Sequence, residues 1–187
     1  MKFQNKIIVI FATVLITLTY SVYEKSKIDA LSERANTPIL KSLPEFSLKE
    51  IYKNKLFTNT SIMANTKALM VHFWGTWCAP CEVELPDFIK LTDRYKNKDI
   101  KFLLIAVNDD EKKIKKFMKR FGQLSESVYV LHDADGSIMS KFGTVKVPET
   151  YLFDSSSALF NRYIGSQSWG SPYFDHQIIE VFTGKSK

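Results

Sequence analysis

Cys78 and Cys81 are the only cysteines in the chain, and they close the run Phe73-Trp74-Gly75-Thr76-Trp77-Cys78-Ala79-Pro80-Cys81. A lone C-x-x-C between an apolar strand-like run and a helix-compatible run is the pattern of a redox-active dithiol. The spacing lets two sulfurs close a small disulfide ring at a helix start, one exposed and nucleophilic, the other behind it. Two blander readings fare worse. A structural disulfide across so short a loop constrains the unfolded chain little. With 45% apolar residues and 14 phenylalanines, the core needs no such staple. A zinc half-site requires further ligands, and beyond this pair only the scattered His72, His132 and His176 are on offer.

Such a pair needs a strand before it and a helix after it. Residues 67–74 (KALMVHFW) form a largely apolar run suited to a central strand. Residues 79–95 carry Val83, Leu85, Phe88, Ile89, Leu91 and Tyr95 at helical spacing, with Pro86 placed to kink the helix. Residues 101–107 read as a second buried strand, ending at Asn108-Asp109-Asp110, a helix-start signal. An amphipathic helix over 111–121, a short strand at 128–131 and a short helix at 137–142 follow. Residues 150–153 and 158–164 flank Asp154-Ser155-Ser156-Ser157 as a hairpin, and 172–182 close the chain as a helix. Upstream, 43–48 and 55–57 read as a short hairpin. Strands alternating with helices give an α/β sheet with helices on both faces.

Residues 7–22 are an uncharged apolar run behind Lys2 and Lys6. The run lies near the lower limit of about 17 residues for a spanning helix. It lacks an Ala-x-Ala cleavage site, which favours an uncleaved anchor over a cleaved signal and a secreted form. Lys25 and Lys27 after the run leave no strong Lys/Arg asymmetry. The short basic start nonetheless places the catalytic part outside the cytoplasm, where disulfides persist. The expected organisation is an anchor or signal segment over 1–23, a polar tether over 24–42 and one domain over 43–187. The net charge of +6 includes a Lys112–Lys119 cluster that reads as a solvated helix face. No basic–aromatic interleaving points to nucleic acid.

The dithiol run, Pro86 within the following helix and the distal Val147-Pro148-Glu149-Thr150-Tyr151-Leu152-Phe153-Asp154 occur in the order that characterises one superfamily. The chain resembles the thioredoxin superfamily, specifically the membrane-tethered TlpA/ResA/CcmG-like thiol–disulfide oxidoreductases, across nearly all of its length after the tether. The resemblance implies a thioredoxin-like fold: a central mixed sheet, an N-terminal hairpin and an extra helix–strand insertion over 111–132. It makes Cys78 the attacking thiolate, favoured by a helix start, and Cys81 the resolving thiol. Pro80, without an N–H, bears on the redox poise. Pro148 becomes a cis-proline which, with the backbone of Val147, offers a docking edge for an extended client segment. Trp77 is expected beside the disulfide as part of that surface, against the alternative of an ordinary core aromatic.

In the ResA-like branch an acid at the position of Glu84 is linked to proton handling; the competing reading is a solvated acid favoured by the helix dipole. Glu149 is a weaker candidate for the same role. Plain thioredoxins carry a buried aspartate where this chain has His72, which is either a proton-exchanging group or a satisfied strand histidine. The function implied is a protein-disulfide reductase that needs no cofactor and no metal. Its clients are disulfide-bearing proteins, apocytochrome c among them, and its electron donor is a membrane dithiol carrier. The alternative is a copper metallochaperone on the same scaffold, with soft thiolates for Cu(I) and His132 or His176 as the distal ligand. The Pro-x-x-x-Thr-x-x-Cys setting of a peroxiredoxin is absent.

Overall fold

The computed structural model describes residues 12–26, 40–96 and 98–184, and divides into two units, Met1–Ile39 and Leu40–Lys187. In the first unit residues 12–26 are helical (α1), and Val14, Leu15, Ile16, Leu18, Tyr20 and Val22 lie exposed along it. Among the described residues no helix is long and apolar enough to cross a membrane. The apolar run over 7–22 begins outside the described residues, as does most of the expected tether; residues 24–26 of that tether continue α1.

The second unit is built on seven strands: β1 Ser47–Glu50, β2 Leu56–Thr58, β3 Ala68–Trp74, β4 Ile100–Val107, β5 Val128–Asp133, β6 Glu149–Asp154 and β7 Leu159–Ile164. They form one sheet in the order β2-β1-β5-β4-β3-β6-β7. The centre, β3, β4 and β5, is parallel, and β1, β6 and β7 join antiparallel. β3 is buried along its whole length, which is why it reads as a continuous apolar run and not an alternating one.

Among the described residues five helices cover the sheet: α2 Asn59–Met63, α3 Ala79–Arg94, α4 Glu111–Met118, α5 Ser137–Lys141 and α6 Pro172–Thr183. Successive β3 side chains alternate between faces. Ala68, Met70 and Trp74 pack with α3, α4 and α6, while Leu69, Val71 and Phe73 pack with α2 and α5. The expected mixed sheet with helices on both faces is therefore what the chain forms, including the inserted α4 and β5.

The differences are local. α3 continues through Pro86, which leaves the carbonyl one turn back without its intrahelical donor. α4 stops at Met118 and tightens into a 3₁₀ turn over Lys119–Phe121 ahead of Gly122. β1 starts at Ser47 instead of residue 43, because Leu43 hydrogen-bonds to Ser157 beside the β6–β7 turn. α2 was not expected. It is a single turn fixed by a reciprocal Thr58–Ser61 capping box, with only Ile62 buried, so it has no apolar periodicity to read.

Candidate active site

β3 delivers the chain at Trp74 to the middle of the sheet edge, and Gly75–Trp77 turn it into α3. That turn is held from β4: the Asp109 carboxylate accepts from the Thr76 N–H at 2.6 Å and from the Thr76 hydroxyl at 3.0 Å. The Trp77 indole N–H donates to the Val107 carbonyl at 3.2 Å. Its ring then lies so close over Gly75 that a Cβ there would sit 2.7 Å from Nε1. Trp77 remains 58% exposed, which removes the core-aromatic alternative and leaves the indole on the surface next to the cysteines.

Cys78 and Cys81 are joined in a disulfide. Cys78 is the N-cap of α3, and its Sγ accepts from the Cys81 N–H at 3.3 Å. In the reduced protein the same donor and the positive end of the helix stabilise a thiolate at Cys78. The order of exposure is as expected, but the degree is smaller. Cys78 is 5% exposed and Cys81 fully buried, because the pair belongs to the α3-side core and Val147 packs against it. Val147–Pro148 is a cis peptide, and the Val147 carbonyl oxygen lies 3.7 Å from Cys78 Sγ. The Pro148 carbonyl in turn accepts from the Gly165 N–H at the end of β7, tying the loop to the sheet.

One turn beyond Cys81, Glu84 is buried, not solvated. Its Oε2 accepts from the Gln167 N–H at 2.6 Å and from the Trp169 indole N–H at 3.1 Å. Burial pushes its carboxyl above the ordinary range, and those two N–H donors, together with the Ser166 side chain, pull part of the way back. His72 on β3 is also fully buried and reaches the same spot, its Nε2 lying 3.7 Å from Glu84 Oε1. The other ring nitrogen, Nδ1, is hydrogen-bonded with the Thr150 hydroxyl at 2.8 Å. The ring stacks on Phe88 with centroids 4.6 Å apart, and burial lowers its pKa to about 3. It is therefore a neutral imidazole at physiological pH.

Residues 40–177 match the Redoxin family. The chain belongs to that family. Among curated relatives it is 26% identical over 171 residues to the thiol-disulfide oxidoreductase ResA of Geobacillus thermodenitrificans (strain NG80-2), covering 90% of this chain and 92% of that one. It is 29% identical over 102 residues to ResA of Bacillus thuringiensis subsp. konkukian (strain 97-27), and there it spans 54% of itself and 57% of the relative. A solved structure of a putative thiol:disulfide interchange protein DsbE from Chlorobium tepidum superposes with a TM-score of 0.65 at 18% identity, over 76% of this chain and 96% of that one. The curated likenesses are to thiol–disulfide oxidoreductases of the ResA type, and the solved structure shares the thioredoxin-like fold.

Not every candidate of this Redoxin protein is brought together. Glu149 is buried but pairs with the Arg162 guanidinium. It lies on the Tyr151 and Phe153 face of β6, across the sheet from Thr150, His72 and Glu84. It does not join His72 and Glu84. The copper reading finds no assembled ligand set. Among the described residues no group of three or more His, Cys, Asp or Glu side chains could hold a metal ion. The His132 Nε2 is instead engaged with the Asp109 carbonyl at 2.9 Å. The exposed Lys112, Lys113 and Lys116 of α4, with Lys119 in the 3₁₀ turn, form the solvated face expected of this cluster.

Sequence reading missed Thr150, Gln167, Trp169 and the clamping role of Asp109. The Asn108-Asp109-Asp110 run carried a partial signal, but of its two acids Asp110 caps α4 and Asp109 turns back to the dithiol loop. Gln167 contributes only a backbone N–H, for which side-chain identity leaves no trace.

Proposed function

We propose that this Redoxin protein is a disulfide reductase held at the cytoplasmic membrane by residues 7–22, with its catalytic domain on the extracytoplasmic side. The observation that carries the activity is the Cys78–Cys81 disulfide at the start of α3, with Cys78 the outer sulfur and its Sγ facing a backbone donor. In the reduced protein the Cys78 thiolate attacks a client disulfide, forms the mixed disulfide and expels one client thiolate. Cys81, losing its proton, attacks Cys78 Sγ and expels the second. Two electrons pass from the dithiol to the client, which takes up two protons as it becomes a dithiol, while Cys78 and Cys81 end as the disulfide. Glu84, one turn from Cys81 on the same helix, is the group placed to receive the Cys81 proton. A membrane dithiol carrier returns two electrons and resets the cycle.

The client segment lies in extended form along Val147, beside Trp77. Val145 and Ile164, both exposed and apolar, extend that surface. Disulfide-bearing apocytochrome c is a client of the right chemistry. Support for the location is the apolar run behind a short basic start, together with a dithiol whose chemistry suits an oxidising compartment.

The test is a full-length Cys81→Ser variant expressed in intact cells. It should accumulate mixed disulfides through Cys78 that a further Cys78→Ser change abolishes. Wild-type protein that cycles between redox states while Cys81→Ser traps no adduct refutes exchange through Cys78. Labelling Cys78 of reduced protein in intact cells with a membrane-impermeant thiol reagent tests the location; protection until the cells are lysed refutes it. Direction is read from the reduction potential, where roughly 30 mV corresponds to a tenfold change in equilibrium.

A further inference from the structure

Glu84 Oε1 and His72 Nε2 are both buried, both without a hydrogen-bond partner, and 3.7 Å apart. Every other polar atom of the two side chains is engaged. Glu84 Oε2 takes the Gln167 and Trp169 N–H groups, and His72 Nδ1 is bonded with Thr150 Oγ1. Each residue has one unfilled position, and it faces the other. Leaving two such buried atoms unmatched is unfavourable for both groups. A closure of less than an ångström makes the bond, and hydrogen bonds of this kind commonly tighten during the working cycle.

We propose that His72 is a positioning residue for Glu84: a neutral imidazole whose tautomer switches, so that Oε1 meets a matching partner whether Glu84 is protonated or ionised. The inference rests on the reading of Glu84 as the proton partner of Cys81. With Glu84 ionised, His72 carries its hydrogen on Nε2 and donates it to Oε1, while Nδ1 accepts from the Thr150 hydroxyl. With Glu84 protonated, Oε1–H donates to Nε2, and the ring hydrogen sits on Nδ1 and is donated to Thr150 Oγ1. The two states differ by one proton, and the ring is neutral in both. The hydroxyl of Thr150 suits this because it both donates and accepts. A lysine at position 72, a donor only, would match only the ionised state.

The surroundings favour the switch over an ion pair. Around the pair are Cys81 one turn earlier on α3, the Thr150 hydroxyl from β6, and the Ser166 side chain with the Gln167 and Trp169 N–H groups from the segment after β7. The Tyr163 phenol of β7 stands behind Trp169, with ring centroids 5.7 Å apart. None of these carries a positive charge that would hold Glu84 permanently ionised, and burial keeps the ring from becoming imidazolium.

The test is ¹⁵N and ¹³C NMR of the full-length oxidised protein, following the His72 ring nitrogens and the Glu84 carboxyl through the Glu84 titration. The expected result is a ring hydrogen on Nε2 above the Glu84 midpoint and on Nδ1 below it, with one shared midpoint. In His72→Leu the Glu84 midpoint should rise by about one pH unit, a tenfold change in proton affinity. A ring that keeps one tautomer while Glu84 titrates, or that becomes doubly protonated at the same midpoint, overturns the proposal; should His72→Leu fail to fold, the wild-type spectra decide alone. If the tautomer stays fixed but Glu84→Gln still alters the pH profile of disulfide exchange, the proton role of Glu84 stands and this inference falls. If the tautomer switches but Glu84→Gln leaves that profile unchanged, the pairing stands and Glu84 does not serve Cys81.

Discussion

His72→Asn replaces a titrating ring by a neutral amide that still donates and accepts, and it isolates the cost of keeping an imidazole unprotonated in the core. The ring is fully buried, and its pKa falls from 6.5 to about 3, with desolvation as the cause. Below pH 6.5 the unfolded chain binds a proton at this position that the folded chain refuses. Stability contributed by the neutral ring is therefore complete above 6.5 and is lost as pH falls through the window toward 3. At 1.36 kcal/mol per unit, the whole window is worth at most about 5 kcal/mol, comparable with the total stability of many domains. Glu84 works the other way. Its raised pKa means that the folded state gains a proton first as pH falls, so protonating it stabilises the fold relative to neutral pH. Urea denaturation of the oxidised protein at a series of pH values, with wild type and His72→Asn in parallel, separates the two. The stability of wild type relative to the variant should decline steadily below about pH 6.5. A difference that stays flat down to pH 4 refutes the claim that His72 is held neutral by burial.

Asp109→Ala removes the acceptor for two hydrogen bonds from Thr76, one charge-assisted bond alone being worth about 1.5–3 kcal/mol, and should loosen the dithiol turn. Chemical denaturation reads the loss, and Trp77 fluorescence anisotropy reads the loosening. Phe88→Ala empties the ring between His72, Trp169 and Phe102, which should cost about 3–5 kcal/mol and lower Tm by roughly 10 °C in a calorimeter. Arg162→Ala leaves the buried Glu149 carboxylate without its counter-charge, a loss of about 3 kcal/mol by denaturation, whereas Lys90→Ala at the exposed Asp87 pair should leave stability unchanged.

Much of this could be read from the chain because the signals were local. The dithiol, the helix after it and the buried strand before it are contiguous, and their apolar periodicity matches the elements within a residue or two. The cis-proline loop and the insertion over α4 and β5 came from resemblance, since a Val-Pro step alone says only that a turn precedes a strand. Exposure was the harder quantity. Glu82 and Glu84 are alternate residues of one helix turn, yet Glu82 is exposed and pairs with Arg120 while Glu84 is sealed beneath Trp169. Helical rotation separates them, and the segment after β7 that buries Glu84 carries no pattern pointing back to α3.

The same reasoning explains why the proposed proton site needs a sheet position and not only an acid on the active-site helix. A carboxyl one turn beyond Cys81 is the group proposed to take its proton, and buried there it does not ionise without a partner. The Gln167 and Trp169 N–H groups supply it for Oε2, which leaves Oε1 to be matched. β3 runs directly beneath α3, so the residue of its face opposite Glu84 is the one that must do it, and that residue is His72. Parallel pairing with β4 and antiparallel pairing with β6 bury His72 on both sides and set Thr150 directly across from it in register. The arrangement of strands therefore fixes which hydroxyl the far nitrogen meets. The fold supplies two of the three members of the chain Glu84–His72–Thr150 simply by closing its sheet, and the helix that presents the disulfide supplies the third.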